Sequence, residues 1–245
     1  MALLKAENIS VQFDNKPVLN QVSLSLFEGE LVSILGVSGS GKTTLFNVLS
    51  GLIVPNEGKV YLEDSDITGK SGHMSYMLQK DLLLPYKTII DNVALPLVMK
   101  GMAKKEARNK VLPYFEEFGL KDTMNLYPRQ LSGGMRQRAA LLRTYMCNNK
   151  IALLDEPFSA LDTLTKTAMH NWYLSIMEQI QLSTLFITHD IDEAILLSDR
   201  IYILGSNGSI TDCITIEKEH VRKKDLLLSE SFLKYKKAIL NAIGE

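Results

Sequence analysis

A glycine-rich segment near the start of the chain combines the residue types that bind phosphate. The pattern G-x-x-x-x-G-K-[ST] is matched by Gly36, Gly41, Lys42 and Thr43. Glycines allow successive backbone N–H groups to curl around an anion, and a following helix adds the positive end of its dipole. The lysine can reach the β- and γ-phosphates of a nucleotide, and the threonine hydroxyl can hold Mg²⁺. The segment therefore predicts a nucleotide-binding loop.

Such a loop needs a strand before it and a helix after it, and the flanking sequence predicts both. Residues 31–35 form an apolar run typical of a buried strand, residues 44–50 are helical in composition, and Gly51 is placed to end that helix. A glycine-rich turn without function would not require the Lys-Thr pair at this position. The strand–loop–helix context therefore supports phosphate binding.

Further polar residues stand directly after two other apolar runs. Asp155 and Glu156 follow residues 151–154, and His189 follows residues 185–188. Both runs are typical of buried parallel strands, and ligands of open α/β sheets bind at the carboxyl ends of such strands. Adjacent carboxylates there suit a Mg²⁺ ligand and a general base. A lone histidine at this edge can be structural or catalytic, and the sequence leaves both interpretations open.

The helix-prone stretch 81–148 contains a third candidate site. Ser132 is a good N-cap and is followed by Gly133, Gly134 and a run of strong helix formers. Free N–H groups at the start of a helix can hold an anion, although helix capping alone also selects these residue types. The segment is therefore either a second anion site or an ordinary helix start.

The rest of the chain divides into a β-rich first third, a helical middle and a mixed end. Two β runs around a turn at 14–17, with short strands at 58–62 and 74–78, predict antiparallel hairpins around the phosphate loop. Pro96 and Pro113 predict that the helical stretch is interrupted and forms several short helices.

The sequence contains two further apolar stretches outside these motifs. Residues 82–86 are flanked by loop residues, which fits either ordinary core or an exposed docking surface. Residues 225–243 have the pattern of an amphipathic helix, which predicts a helix packed on the domain. Its apolar face would carry Leu228, Phe232, Tyr235 and Ile239.

Composition and charge limit the class of protein. The 245 residues are 46% hydrophobic and 22% charged, an ordinary globular balance. The net charge of −1 gives no sign of a nucleic-acid partner, and two cysteines make no disulfide or metal framework, which fits a reducing compartment. No apolar run approaches the ~20 residues of a membrane span, and the N-terminus is too short and charged for a signal peptide. We therefore expect membrane contact only through a partner.

Taken together and in this order, the motifs resemble those of the ATP-binding subunits of ABC transporters, over nearly the whole chain. The matching positions are residues 36–44 for the Walker A loop, Gln79 for the Q-loop, residues 131–137 for the signature, residues 151–156 for Walker B with the catalytic glutamate, residues 159–162 for the D-loop and His189 for the switch histidine. Phe13 falls where the family places an aromatic residue that stacks on adenine.

The resemblance implies a fold class and a set of site residues. The fold is α/β, a P-loop ATPase core with an antiparallel β subdomain and an inserted helical subdomain at about 81–148, in a single domain spanning 1–245 with a short helical tail from about 217. The residues implied to bind ATP are Phe13, Gly36, Val37, Ser38, Gly39, Ser40, Gly41, Lys42, Thr43, Thr44 and Gln79. The implied catalytic residues are Glu156, His189 and Lys42, and the implied Mg²⁺ ligands are Thr43, Gln79 and Asp155.

The resemblance also implies a head-to-tail homodimer with two ATP molecules at its interface. Each ATP would lie between the Walker A loop of one chain and the signature of the other. The signature residues that face the opposite ATP would be Ser132, Gly133, Gly134 and Gln137. The D-loop residue Asp162 would link the two sites across the dimer.

Within the family, the segments 156–162 and 188–194 resemble prokaryotic importers of nitrate, sulfonates, taurine or thiamine-precursor pyrimidines. This implies an ATP-hydrolysing subunit at the cytoplasmic face of the cell membrane, with membrane permease subunits and an extracytoplasmic substrate-binding protein as partners and no nucleic acid. The alternative is a soluble ABC ATPase that acts in assembly or repair without a permease. A nucleotide-binding scaffold without hydrolysis is disfavoured because Glu156 is present.

Overall fold

The computed structural model describes residues 1–159, 161–217 and 229–243. The strands are β1 (Leu4–Phe13), β2 (Lys16–Leu26), β3 (Leu31–Leu35), β4 (Glu57–Leu62), β5 (Ser65–Asp66), β6 (Ser75–Met77), β7 (Ile151–Asp155), β8 (Ser183–Thr188), β9 (Arg200–Leu204) and β10 (Ile210–Thr215). The helices are α1 (Lys42–Leu49), α2 (Ile89–Met99), α3 (Lys104–Glu117), α4 (Gly133–Tyr145), α5 (Thr163–Ile180), α6 (Ile191–Leu197) and α7 (Glu230–Ile243). Short 3₁₀ turns lie at Lys121–Thr123 and Pro128–Gln130.

The central sheet has six strands in the order β10-β9-β3-β8-β7-β6, and only β10 runs antiparallel to its neighbour. Every residue of β3, β7 and β8 is buried, which explains why β3 and β7 are almost wholly apolar rather than alternating. The buried strand β8 has an apolar centre, 185–187, with hydroxyl residues at both ends. Because β3, β6, β7 and β8 are parallel, their carboxyl ends share one edge of the sheet. The loops that follow these four strands therefore open towards the same region.

A smaller antiparallel sheet, β2-β1-β4-β5, packs against the central sheet and α1. Asp14 and Asn15 join β1 to β2 with positive φ angles at both residues, the backbone that a tight hairpin turn requires. The predicted antiparallel pairing is confirmed for β1, β2 and β4.

The predicted antiparallel pairing of residues 74–78 is wrong. The strand β6 pairs in parallel with β7, with Tyr76 opposite Leu153. Ser75 and Met77 are both buried, so this segment joins the central sheet rather than the half-exposed antiparallel one. A strand of three residues carries no periodic pattern long enough to identify its partner.

The predicted division of the helical stretch into several short helices is confirmed, but the prediction that its prolines interrupt it is wrong. Pro96 lies inside α2 and Pro113 lies inside α3. The helices end instead near Gly101 and Gly119, whose φ angles of +95° and +64° suit a helix C-terminus. An internal proline costs about 3 kcal/mol. Burial of the apolar faces of both helices against α4, with Phe115 fully enclosed, offsets this cost.

The C-terminal helix α7 packs on α6 and on the outer strands β9 and β10. Phe232 and Ile239 are buried, as the amphipathic pattern predicts, whereas Leu228 lies outside the described residues. Lys236 adds an ion pair of 2.6 Å to Asp192 on α6. Among the described helices, none has the length and hydrophobicity that crossing a membrane requires.

The apolar run that follows β6 is divided between core and surface. Leu83 is buried, whereas Leu82 and Tyr86 are 51% and 73% exposed. We refer to residues 81–88, between β6 and α2, as the 81–88 loop. The guanidinium of Arg143 on α4 donates to the main-chain carbonyl oxygens of Leu82 at 2.8 Å and Asp81 at 2.5 Å. The loop is therefore attached to the helical part of the molecule.

A single buried side chain fixes the shape of this loop. Asn92 on α2 is fully buried, and its Oδ1 accepts a hydrogen bond from the backbone N–H of Leu84 at 2.7 Å. Its Nδ2 donates to the carbonyl oxygens of Leu84, Lys87 and Thr88, each at 3.1 Å. All four contacts are to main-chain atoms, so these bonds do not depend on which side chains the loop carries. Asp81 adds a further contact within the loop, its Oδ1 accepting from the backbone N–H of Leu83 at 3.0 Å.

Replacing Asn92 by Ala removes all four hydrogen bonds and leaves loop main-chain groups without partners. We expect the free energy of unfolding to fall by about 2 kcal/mol, because one unsatisfied buried polar group costs roughly 1–3 kcal/mol. Urea denaturation followed by circular dichroism measures this change. The matched control is Asn109→Ala, exposed on α3, which should change stability by less than about 0.5 kcal/mol. Equal stability of both variants would contradict the role of Asn92.

Candidate active site

The glycine-rich loop occupies the turn between β3 and α1, at the carboxyl edge of the central sheet. Gly41, just before α1, has a φ angle of +99°, and a Cβ atom there would lie 2.9 Å from the carbonyl oxygen of Val18. A Cβ atom at Gly36 would lie 2.4 Å from the carbonyl oxygen of Leu204. Both positions therefore exclude a side chain, because the loop passes so close to two neighbouring backbones.

Lys42 is enclosed by this loop. It is the first residue of α1 and is only 7% exposed. Its ammonium group donates to the carbonyl oxygens of Gly36 and Val37, both at 2.8 Å. Burial lowers the pKa of Lys42, and the negative charges of Glu156 and Asp155 oppose this effect. The ammonium group lies inside the curve of the loop, where an incoming phosphate would meet it together with the positive end of the α1 dipole.

Thr43 and Asp155 meet at the same edge of the sheet. Asp155 is the last residue of β7 and is buried, and Thr43 Oγ1 donates to its Oδ2 at 3.2 Å. Burial raises the pKa of Asp155; the Thr43 hydrogen bond opposes this rise, and the charge of Glu156 adds to it. A hydroxyl and a carboxylate oxygen in contact are ligand types that Mg²⁺ prefers.

Three predicted site residues follow three neighbouring strands. Gln79 follows β6, Glu156 follows β7 and His189 follows β8. Glu156 joins them, because its Oε2 accepts a hydrogen bond from Gln79 Nε2 at 2.9 Å and its Oε1 lies 3.3 Å from His189 Nδ1. Glu156 has a φ angle of +46°, a left-handed backbone that costs a non-glycine residue energy and recurs at functional sites.

These groups line one cavity of about 590 Å³, a volume typical of sites for small ligands. The predicted residues that line it are Ser38, Gly39, Gly41, Lys42, Thr43, Thr44, Gln79, Glu156 and His189. Val18 on β2 also lines the cavity, and sequence reasoning missed it because a valine in an alternating β run indicates only sheet packing. Phe13 is exposed at the end of β1 and is not among the lining residues. Ser40 is buried within the loop and Val37 is exposed on it.

The predicted signature residues lie at the start of α4. Ser132 is exposed and caps the helix, its Oγ accepting from the backbone N–H of Met135 at 3.3 Å. Gly133 and Gln137 line a second cavity of about 800 Å³, which shares three lining residues with the first. Gln137 is buried and donates a hydrogen bond to the carbonyl oxygen of Pro157. Gln137 therefore attaches α4 to the segment after β7, whereas Ser132 is accessible.

The predicted D-loop and the predicted signature segment are both attached to α5. Asp162 precedes this helix and caps it, its Oδ1 accepting from the backbone N–H of Thr165 at 3.1 Å. Gly134 is buried against the same helix, where a Cβ atom would lie 3.2 Å from Thr165 Cγ2. Ala160, also in the D-loop, lies outside the described residues.

A phosphate-binding loop between a parallel strand and a helix, with a carboxylate at the end of the next strand but one in the same sheet, defines a P-loop nucleotide-hydrolysing protein. The family model described as ABC transporter matches residues 19–159, and the chain belongs to this family. The match includes the phosphate loop, the helices α2 to α4 and the pair Asp155–Glu156.

Relatives with similar sequences are import ATP-binding proteins. The formylaminopyrimidine import ATP-binding protein ThiZ of Halalkalibacterium halodurans is 47% identical over 202 residues, which cover 82% of this chain and 79% of the relative. The nitrate import ATP-binding protein NrtD of Synechocystis is 38% identical over 199 residues, 81% of this chain and 75% of the relative. These similarities confirm the predicted ABC ATPase of the importer type and do not favour the assembly or repair alternative.

Solved structures agree with the fold. The dimeric bacterial ABC transporter cassette MJ0796 has a TM-score of 0.76 and 30% sequence identity, and the alignment covers 88% of this chain and 100% of that one. The ADP conformation of the ABC transporter cassette MJ1267 has a TM-score of 0.80 at 26% identity and covers both chains completely. The predicted α/β P-loop ATPase fold is confirmed.

Replacing Lys42 by Met removes the enclosed ammonium group but keeps an unbranched side chain. We expect ATP hydrolysis to fall by about 10²-fold or more, the cost of losing one preorganised electrostatic contact to the transition state. A phosphate-release assay measures hydrolysis, and a fluorescent ATP analogue measures binding. Lys105→Met, an exposed lysine on α3, is the matched control and should keep wild-type turnover. Unchanged turnover in Lys42→Met, with contaminating ATPases excluded, would contradict the assignment.

Proposed function

We propose that two copies of this chain bind and hydrolyse Mg-ATP between them and thereby drive uptake of a small solute through a membrane permease. One observation carries this proposal: Glu156 stands between Gln79 and His189 at the carboxyl edge of the sheet, in the cavity that also contains Lys42. This arrangement supplies a base, a cation and two polar side chains around the position of a terminal phosphate.

The residues present fit a magnesium ion. Thr43 and Asp155 offer a hydroxyl and a carboxylate oxygen in contact, and the amide of Gln79 belongs to the same cavity wall. Among the described residues there is no cluster of three His, Cys, Asp or Glu side chains that could form an all-protein metal cage. This fits Mg²⁺, which is usually held by one or two protein groups together with substrate phosphates and water. When bound, the ion would supply charge neutralisation at the β- and γ-phosphates.

The residues of this chain would have different roles in ATP hydrolysis. The Lys42 ammonium would exchange its two carbonyl contacts for phosphate oxygens and neutralise the charge that develops on them. Glu156 would orient the attacking water and accept its proton, a contribution of ~10²–10⁴-fold. His189, whose side chain is accessible and lies 3.3 Å from that carboxylate, would contact the γ-phosphate.

The signature residues would act in the opposite site of a dimer. Ser132 is accessible at the N-terminus of α4, where its hydroxyl and the N–H groups of Gly133 and Gly134 can donate to a γ-phosphate. The dimeric cassette MJ0796, similar over 88% of this chain, supports a paired arrangement. Loss of the γ-phosphate by hydrolysis would remove the ligand that joins the two halves, so the dimer would then open.

The nature of the relatives indicates the class of transported solute. The relatives named above import formylaminopyrimidine and nitrate, and a third, from Yersinia pestis and 36% identical over 215 residues, is a taurine import ATP-binding protein. We infer that this chain serves uptake of a small polar nitrogen- or sulfur-containing solute. Its partners would be permease subunits and an extracytoplasmic substrate-binding protein, and it would lie at the cytoplasmic face of the membrane.

Glu156→Gln keeps the shape of the side chain but removes its basicity, so ATP should bind without being hydrolysed. We expect the variant to elute at twice the monomer mass in size-exclusion chromatography with Mg-ATP and as a monomer without it. Glu117→Gln, exposed on α3, is the matched control and should show no stable ATP-dependent dimer. A Glu156→Gln protein that stays monomeric with Mg-ATP, from low to high micromolar protein, would count against the dimer.

The exposed part of the 81–88 loop is the proposed contact with the permease. Leu82 and Tyr86 present apolar surface, and the loop begins two residues after Gln79, which touches Glu156. Arg143 attaches the loop to α4, the helix that begins with the signature. A movement of α4 on ATP binding would therefore carry the loop with it and transmit force to a partner.

Replacing Tyr86 by Asp places a charge on this surface without touching the nucleotide cavity. We expect ATP binding by the purified subunit to be unchanged and recovery of the permease in a pull-down to fall about tenfold or more, because aromatic anchors dominate such interfaces. The bait is the permease that co-purifies with the wild-type protein. Leu233→Asp, equally exposed apolar surface on α7, is the matched control. Equal recovery with both variants would refute the docking role of Tyr86.

A further inference from the structure

A partly buried ion-pair cluster connects the helices that follow two of the site segments. The ammonium group of Lys166 on α5 lies 2.6 Å from Asp190 Oδ2 and 2.9 Å from Glu193 Oε2. Asp190 caps α6, and Glu193 lies on the same helix three residues later. We call these three residues the Lys166 clamp.

The clamp has one buried and one partly exposed carboxylate: the side chain of Asp190 is 36% exposed, whereas Glu193 is enclosed. Glu193 is 3% exposed, and its Oε2 also lies 3.5 Å from Nε2 of His170, which is one turn after Lys166 on α5. The ring of His170 packs edge-on against Phe158, with centroids 4.9 Å apart. Removing the cation would leave the buried carboxylate of Glu193 without its lysine partner, which is more costly than losing an exposed pair.

The clamp joins the helix that follows the D-loop to the helix that follows the switch histidine. The backbone N–H of Lys166 donates to the carbonyl oxygen of Asp162, so the lysine belongs to the first turn after the D-loop. Asp190 directly follows His189 in the sequence. Its Oδ1 accepts from the backbone N–H of Glu193 at 3.1 Å, while its Oδ2 contacts the lysine. One carboxylate thus fixes both the start of α6 and the distance of α6 from α5.

We propose that Lys166 is a positioning residue that holds His189 in place relative to the D-loop. This rests on the proposed function: when Asp162 meets the partner chain in the closed dimer, α5 takes up the displacement, and the clamp passes it through Asp190 to His189. The contact between His189 and Glu156, 3.3 Å in the single chain, would then change when the dimer closes. Lys166 itself touches neither nucleotide nor the reacting atoms, and it acts only through the helix start that carries the histidine.

A double-mutant cycle tests this route. Hydrolysis is measured under single-turnover conditions over hours, so that slow variants remain measurable, for Lys166→Met, His189→Ala and the double variant. We expect Lys166→Met to lower the rate about tenfold while the KM for ATP in steady state changes less than about twofold, since the phosphate loop is untouched. In the His189→Ala background, Lys166→Met should cause no further loss. Lys166→Arg keeps the cation and should recover most of the activity.

The matched control is Lys236→Met, which removes a 2.6 Å ion pair to Asp192 on the same helix and should leave the rate within about twofold of wild type. If Lys166→Met does not fold, Asp190→Asn replaces it, because asparagine caps helices equally well but does not attract the lysine. Histidine ring NMR gives a readout without turnover: the His189 signal, identified by its loss in His189→Ala, should shift or broaden in the clamp variant, while that of His73 should not.

Equal losses in the wild-type and His189→Ala backgrounds, or an unchanged His189 signal, would overturn the proposal. A raised KM without a lower rate would also overturn it, since it would indicate a damaged nucleotide site. A wild-type protein without ATP hydrolysis would refute the proposed function itself. Normal wild-type hydrolysis with additive losses would refute only the clamp, so the two failures are distinguishable.

Discussion

The site depends on the parallel register of four strands. Because β3, β8, β7 and β6 are neighbours and point the same way, the residues that follow them are brought to one edge although they are up to 153 positions apart in the chain, from Gly36 to His189. No local interaction could bring these groups together. The hydrogen bonds of the sheet fix their separation, and the apolar burial of β3, β7 and β8 holds the sheet rigid.

Several charged groups lie together at this edge of the sheet, and each of them would be unfavourable if it were buried alone. The Lys42 ammonium is enclosed near the carboxylates of Asp155 and Glu156, and burial shifts the pKa of Lys42 down and that of Asp155 up. Lys42 and Asp155 each make hydrogen bonds at this edge, which limits the energetic cost of burying their charges. The left-handed backbone of Glu156 adds local strain at the same point. An anionic ligand bound at this edge would offset part of the cost of enclosing the Lys42 ammonium.

Much of this could be predicted from the sequence, for a physical reason. The phosphate loop and the strands before Asp155 and His189 are specified by residues close in sequence, so their pattern is visible directly. Tertiary burial determines which strand pairs with β6 and allows α2 to continue through Pro96. Local sequence signals do not contain this information, and both predictions made from them were therefore wrong. Val18 reaches the cavity only because the two sheets pack together, and no pattern in the sequence of β2 indicates this position.

The way Asn92 holds the 81–88 loop has an evolutionary consequence. Its four hydrogen bonds end on main-chain atoms, which are the same whatever side chains the loop carries. An exposed position such as Tyr86 can therefore be exchanged without altering the path of the backbone, whereas Leu82, with a φ angle of +44°, accepts fewer residue types. The backbone path of this loop and the chemistry of its surface can therefore change independently during evolution. A lineage that acquires a new membrane partner could change the surface of this loop one residue at a time while each intermediate protein still folds.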